Sequence, residues 1–305
     1  MAEEPVLTWL YAPGDRPEVV AKALRSGADV VLIDLEDAVA PGRKEYARTA
    51  TAELLSAPQP GPAAVHVRVN ALSGPFARAD LEALSGLPGL AGLRLPKIES
   101  PREVLDVVRV LGEWGERGER GEPQKREKRG EAAGAGAVPG LYPLLESALG
   151  IENAFAVASA DPAVRGIALG EADLRADLGM RDEAALTWPR ARAVVAARAA
   201  GLAPPAQSVY PHVRDVEGLA ASCLRGRSLG FLGRTAIHPR QLPVIERSYL
   251  PTSREVEAAR ETLAAAGRDA GALALADGRF VDAAVVAGAR RTLTLAERAR
   301  SPRHG

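Results

Sequence analysis

The 305-residue chain carries 39 Lys+Arg against 39 Asp+Glu and is 47% hydrophobic, so net charge favours neither nucleic acid nor an anionic membrane as partner, and a large core is affordable in composition. Its one cysteine, Cys223, excludes an internal disulfide and a multi-cysteine zinc site. No run of about 18 apolar residues offers a membrane span.

Taken in chain order, short apolar runs at 7–12, 30–35, 65–70 and 92–96 read as strands. Runs such as Val30-Val31-Leu32-Ile33 are continuous, as expected of parallel strands buried on both faces. A helix is predicted over 101–114, where Val104, Val107, Val108 and Leu111 share one face. Residues 115–138 hold eleven charges of mixed sign and no apolar face. They read as a flexible charged insertion, disordered or partly helical, with a docking surface as the alternative. Further strands follow at 141–145, 166–169, 207–210 and 231–237, with a helix over 187–200. Eight strand–helix units in roughly 245 residues predict a (β/α)8 TIM barrel over 1–250, with an open doubly wound sheet as the rival. Residues 251–305 are expected to form a small C-terminal helical extension or lid. Its first helix starts at Pro251-Thr252-Ser253, a hairpin turns at Asp277-Gly278, and a last helix begins near 283. The acidic start, Met1-Ala2-Glu3-Glu4-Pro5, lacks an apolar leader, and a cytoplasmic protein is expected.

Polar residues gather where the predicted strands end, as an active-site face of a barrel requires. Asp34-Leu35-Glu36-Asp37 places three acids at one strand end. They must meet water, a cation or hydrogen-bond donors, and the structural alternative is a hydrogen-bonded loop before Pro41. Arg68, in a strand of alternating valines, needs an acid partner or a carboxylate ligand; a salt bridge to Glu36 or Glu146 is compatible with both. Glu146 and Asp173 each follow a predicted strand, and barrel closure would bring them together as oxygen ligands for Mg2+. The alternative is an arginine partner for Glu146 and a helix cap for Asp173. His238 reads as a residue that shapes the last loop, or as a base. No phosphate-binding glycine loop and no Gly-x-Ser-x-Gly elbow occurs.

The motifs Leu10-Tyr11-Ala12-Pro13-Gly14-Asp15-Arg16, Asp34-Leu35-Glu36-Asp37-Ala38, Val67-Arg68-Val69-Asn70, Leu95-Pro96-Lys97-Ile98-Glu99, Leu145-Glu146-Ser147-Ala148, Gly170-Glu171-Ala172-Asp173 and Ile237-His238-Pro239 occur in this order. Together they resemble the citrate lyase β-subunit-like branch of the HpcH/HpaI aldolase family, from about residue 7 to 250. The resemblance implies a (β/α)8 barrel and a Mg2+-dependent carbon–carbon lyase acting on malyl-, citramalyl- or citryl-CoA-like thioesters, releasing a keto acid. It also implies metal ligation by Glu146 and Asp173, and substrate binding by Arg68 and Glu146. Glu36 and Asp37 would take catalytic roles, and Asp282, in Phe280-Val281-Asp282, would complete a neighbour's site in a trimer or hexamer. Leu7, Arg234 and Ala283-Ala284 depart from the family pattern. Other readings are a citrate lyase β subunit acting on a carrier-protein thioester, an acyl-CoA thioesterase using the same site, and a non-enzymatic barrel scaffold.

Overall fold

The computed structural model describes residues 5–120, 138–266, 273–274 and 280–298, with backbone alone at 115–120 and 273–274. Strands β1 (Thr8–Pro13), β2 (Val30–Asp34), β3 (Ala64–Arg68), β4 (Gly92–Leu95), β5 (Gly140–Leu145), β6 (Ala168–Leu169) and β7 (Arg234–Ala236) form one parallel sheet in the order β6-β5-β4-β3-β2-β1-β7. Helices lie between them: α1 (Pro17–Leu24), α2 (Lys44–Leu55), α3 (Ala77–Leu84), α4 (Pro101–Arg120), α5 (Ala148–Glu152), α6 (Ala154–Ala158), α7 (Glu171–Asp177), α8 (Thr187–Ala199), α9 (Val216–Ser228) and α10 (Leu242–Tyr249). The fold is therefore α/β, a curled sheet clothed by helices.

The two-residue period of the strands separates two environments. Leu10, Val31, Ile33, Val65, Val67, Leu93, Leu95, Leu141 and Leu145 face the helices and belong to the main core. On the opposite face, Trp9, Val30 and Ala206 form a small second cluster at the start of the strands. Each fully buried aliphatic side chain contributes about 1.5–3 kcal/mol. Farther along that face the residues turn polar: Asp34, Arg68 and Arg94 occupy matched positions on β2, β3 and β4. The Tyr142 ring of β5 lies on the same face. A methyl group at Gly92 would sit 2.7 Å from that ring, so only glycine leaves the space.

The expected eighth strand is a correction to the sequence reading. Residues 207–210 make a single parallel bridge, Gln207 to Arg234, rather than a ladder, and the described residues contain no ladder joining them to β6. Pro204, Pro205 and Pro211 flank this segment and have no N–H to donate, which limits its pairing. Side chains hold it instead. Arg234 donates to the Ser208 carbonyl (2.9 Å) and Ser222 Oγ (2.9 Å), and Tyr249 donates to Gln207 Oε1 (2.6 Å).

The predicted amphipathic helix 101–114 is present within α4, with Val104, Val107 and Leu111 buried. Ser100 and Glu103 start it as a capping box, Ser100 N–H donating to Glu103 Oε2 at 2.8 Å. The helix continues to Arg120, into the stretch expected to be disordered or partly helical; residues 121–137 of the charged insertion lie outside the described residues. After α10, α11 (Ser253–Ala266) opens with a second capping box, Thr252 with Glu255. The predicted hairpin pairs β8 (Leu273–Ala274) with β9 (Phe280–Val281) in antiparallel register, its turn lying outside the described residues. The final helix, α12 (Ala283–Arg298), packs against α11. At its far end one terminal nitrogen of Arg298 donates to both carboxylate oxygens of Asp29 (2.7 and 2.8 Å), and Asp29 accepts the backbone N–H groups of Leu7 and Thr8. No described helix is long and apolar enough to cross a membrane.

Candidate active site

The C-terminal ends of the strands surround a cavity of about 400 Å³, lined among others by Tyr11, Asp37, Arg68, Arg94, Glu146 and Asp173. Parallel strands place all their carboxyl ends on one side, so residues remote in sequence meet there.

Glu146 follows β5 and is 5% exposed. Its Oε2 accepts the backbone N–H of Lys97 at 2.9 Å. Gly170 makes room for the other side of the carboxylate: a Cβ there would lie 2.1 Å from Oε1. Burial, reinforced by the negative charges of Glu36 and Asp173, pushes the Glu146 carboxyl up to about 7, against the stabilising Lys97 N–H. Asp173 stands in the first turn of α7, exposed, and takes part in no hydrogen bond or ion pair among the described residues. Its neighbour Glu171 is fully engaged, binding Arg190 through both oxygens at 2.7 Å.

Arg68 makes the expected ion pair with Glu36 and adds two further acids, Asp34 and Asp37. Its Nε and one terminal nitrogen clasp Asp34 (2.7 and 2.6 Å), while the other terminal nitrogen reaches Glu36 (2.9 Å) and Asp37 (3.1 Å). No bond to Glu146 is present. Asp34 also accepts the N–H groups of Glu36 (2.9 Å) and Ala38 (3.0 Å), so it serves as the organiser of the loop after β2, the structural alternative for that position. Glu36, expected as a catalytic acid, is buried beneath Arg68 and Lys97 and does not line the cavity; burial raises its carboxyl against the pull of both cations. Asp37, with a side chain 59% exposed, does line it. Asp282 is not brought to this cavity in its own chain. It caps α12, accepting the Val285 N–H at 2.9 Å. His238 accepts the Arg240 N–H at 3.1 Å and starts the turn after β7, in line with a loop-shaping role.

Several residues escaped the sequence reading. Lys97 adopts φ +55°, a left-handed conformation unusual for a non-glycine residue. The twist aims its N–H at Glu146 while its Nζ reaches Glu36 at 2.7 Å, so one residue braces two acids. Lys44 donates to the Leu35 and Glu36 carbonyls (2.8 and 2.7 Å) and fixes the same loop from behind. Arg94 is 3% exposed and lines the cavity. It carried the same signal as Arg68, an arginine inside an apolar strand.

The acids suit a hard divalent cation. Among the described residues no cluster of three or more His, Cys, Asp or Glu is placed to hold a metal. An ion needing four protein ligands therefore does not fit, whereas Mg2+ keeps several waters and takes one or two carboxylates. The housed Glu146 oxygen and the unengaged Asp173 are the two cavity carboxylates that would supply those. If so, Gly170→Ala should weaken Mg2+ binding about 10–100-fold while leaving the fold intact, because its Cβ displaces the carboxylate; calorimetric titration with MgCl2 measures it.

The model of the HpcH/HpaI aldolase/citrate lyase family matches residues 7–239. The chain belongs to this family. Among its relatives, a (3S)-malyl-CoA thioesterase of Cereibacter sphaeroides is 34% identical, over 96% of this chain and 95% of that one. The citrate lyase subunit beta of Leuconostoc mesenteroides is 31% identical, over 95% and 92%. A crystal structure of CitE from Mycobacterium tuberculosis with magnesium, acetoacetate and coenzyme A superposes with a TM-score of 0.75 at 32% identity, covering 96% of this chain and 98% of that one. Within the family the chain stands with the citrate lyase β-subunit-like members.

Proposed function

We propose that this chain is a magnesium-dependent carbon–carbon lyase that cleaves a hydroxyacyl-CoA thioester of the malyl, citramalyl or citryl type into a keto acid and a shorter acyl thioester. The carrying observation is the buried Glu146 carboxylate, seated under the Lys97 N–H and over Gly170, with Asp173 and Arg68 on the same cavity. The magnesium, keto-acid ligand and coenzyme A held by the mycobacterial relative support the substrate class.

Glu146 and Asp173 would hold the metal. When bound, magnesium supplies Lewis acidity that lowers the pKa of the substrate hydroxyl. Arg68, itself fixed by Asp34, orients the substrate carboxylate with Glu146 alongside, so that the breaking carbon–carbon bond aligns with the thioester carbonyl. The hydroxyl proton goes to a base, the bonding pair passes to the thioester enolate, and the keto acid is released. The enolate then takes a proton. Asp37 faces the cavity and serves that proton traffic directly or through a water. Glu36 acts through Lys97 and Arg68. Asp282 would enter a neighbouring subunit's site in a homo-oligomer, a trimer or hexamer. The strand order, which runs consecutively around the sheet and continues through the Gln207–Arg234 bridge, supports a closed (β/α)8 barrel over 1–250 with 251–305 as an appended segment. A cytoplasmic location fits a CoA-dependent enzyme.

Thioester hydrolysis is the second reading, favoured by the Cereibacter relative's activity. One assay separates the two. Malyl-, citramalyl- and citryl-CoA are supplied with Mg2+ or with EDTA, and keto acid and free CoA are quantified. Keto acid that vanishes in EDTA is expected. Turnover unchanged by EDTA rejects the metal role, and free CoA without keto acid rejects cleavage in favour of hydrolysis.

A further inference from the structure

Arg68 and Arg94 are direct cross-strand neighbours on β3 and β4, with side chains on the same face. Two guanidinium groups so placed repel unless acids intervene. Arg68 has three acids around it. The Arg94 side chain makes no hydrogen bond or ion pair among the described residues, Glu146 attracting it only from beyond ion-pair distance, although it is 3% exposed and its Nε is wholly buried. An unpaired buried charge is costly and is retained where something pairs with it. Because Arg94 lines the same cavity as Glu146 and Arg68, an anion that pairs with it directly would sit within reach of the reacting group.

We propose that Arg94 is a specificity-determining residue that receives a second carboxylate on the keto-acid half of the substrate, selecting an oxo-dicarboxylate over an oxo-monocarboxylate. The inference rests on the lyase reading above. A carboxylate has about four lone-pair sites. One that is already shared between Arg68 and the metal leaves little for a further guanidinium with five donors. A separate carboxylate, one or two carbons away, meets Arg94 in bidentate geometry. A substrate whose keto-acid half is monocarboxylic leaves the arginine unpaired.

Direct binding tests this without turnover. Freshly dissolved oxaloacetate and pyruvate are each titrated calorimetrically into the full-length protein with Mg2+, for wild type, Arg94→Met and Arg94→Lys. Wild type should bind oxaloacetate at least about 10-fold tighter than pyruvate, as one charge-assisted pair implies. Arg94→Met should erase that preference while changing pyruvate affinity less than threefold, and Arg94→Lys should restore part of it. The melting temperature of Arg94→Met should rise by about 2 °C or more, since an apolar chain replaces an unpaired charge. Equal loss for both ligands would show a shared carboxylate and overturn the proposal, as would no loss for either or a destabilised Arg94→Met. If wild type binds pyruvate as tightly as oxaloacetate, the selectivity fails while the lyase reading stands; if it binds neither, both fail.

Discussion

Glu146→Gln should lower magnesium-dependent turnover at least about 10³-fold, equivalent to about 4 kcal/mol of transition-state stabilisation. The amide keeps the shape and the bond to the Lys97 N–H but offers no charge to a cation. The same variant has a signature in stability. In the metal-free protein the Glu146 carboxyl is raised to about 7 from its ordinary 4.5. A raised carboxyl means that the folded state holds its proton longer than the unfolded chain does. Its contribution is intact below about 4.5 and is lost as pH rises through about 7, a difference of about 3 kcal/mol. Urea unfolding in EDTA should therefore show metal-free wild type losing stability from pH 5 to 8, and Glu146→Gln should flatten that slope. Added Mg2+ should restore wild type at pH 8 and leave the variant unmoved. A variant that keeps full turnover removes Glu146 from the metal site.

Arg68→Ala should destabilise the protein by about 3–5 kcal/mol in urea titrations, as removal of one member of a buried pair does. From sequence, its expected effect is weaker keto-acid binding. The structure adds a larger one: Asp34 is 2% exposed and would lose both its guanidinium bonds, and the loop carrying Glu36 and Asp37 depends on Asp34. The double variant Asp34→Asn/Arg68→Met should recover more than half of that loss, because neither side is left charged. It should still fail to bind pyruvate, separating the two roles. If Arg68→Ala unfolds no more readily than wild type, the Asp34 pairing contributes nothing to stability.

The sheet was legible because continuous apolar runs as short as Val30–Ile33 suit a strand buried on both faces. The positions of Glu146, Asp173 and Arg68 followed from where those runs stop. Pairing was not legible. Asp34, Glu36 and Asp37 look alike in sequence, yet one clasps Arg68 from below, one lies under two cations and one faces the cavity. That sorting depends on a loop geometry that Lys44 of α2 fixes through two carbonyls. The left-handed turn at Lys97 was hidden as well, since glycine or asparagine is the usual sign of such a backbone and neither is there. At 207–210 the local pattern suggests a strand, but the prolines on either side withhold the N–H groups that a ladder needs.

The grip of Arg298 on Asp29 spans 269 positions of the chain. During synthesis at about 5–20 residues per second, the arginine emerges roughly 13–54 s after its aspartate. Throughout that interval the underside of the first two strands carries a carboxylate with its final counter-ion still unmade. The latch on the first two strands thus waits for a residue made 269 positions later, and a nascent chain arrested before residue 298 should remain open to protease at this seam.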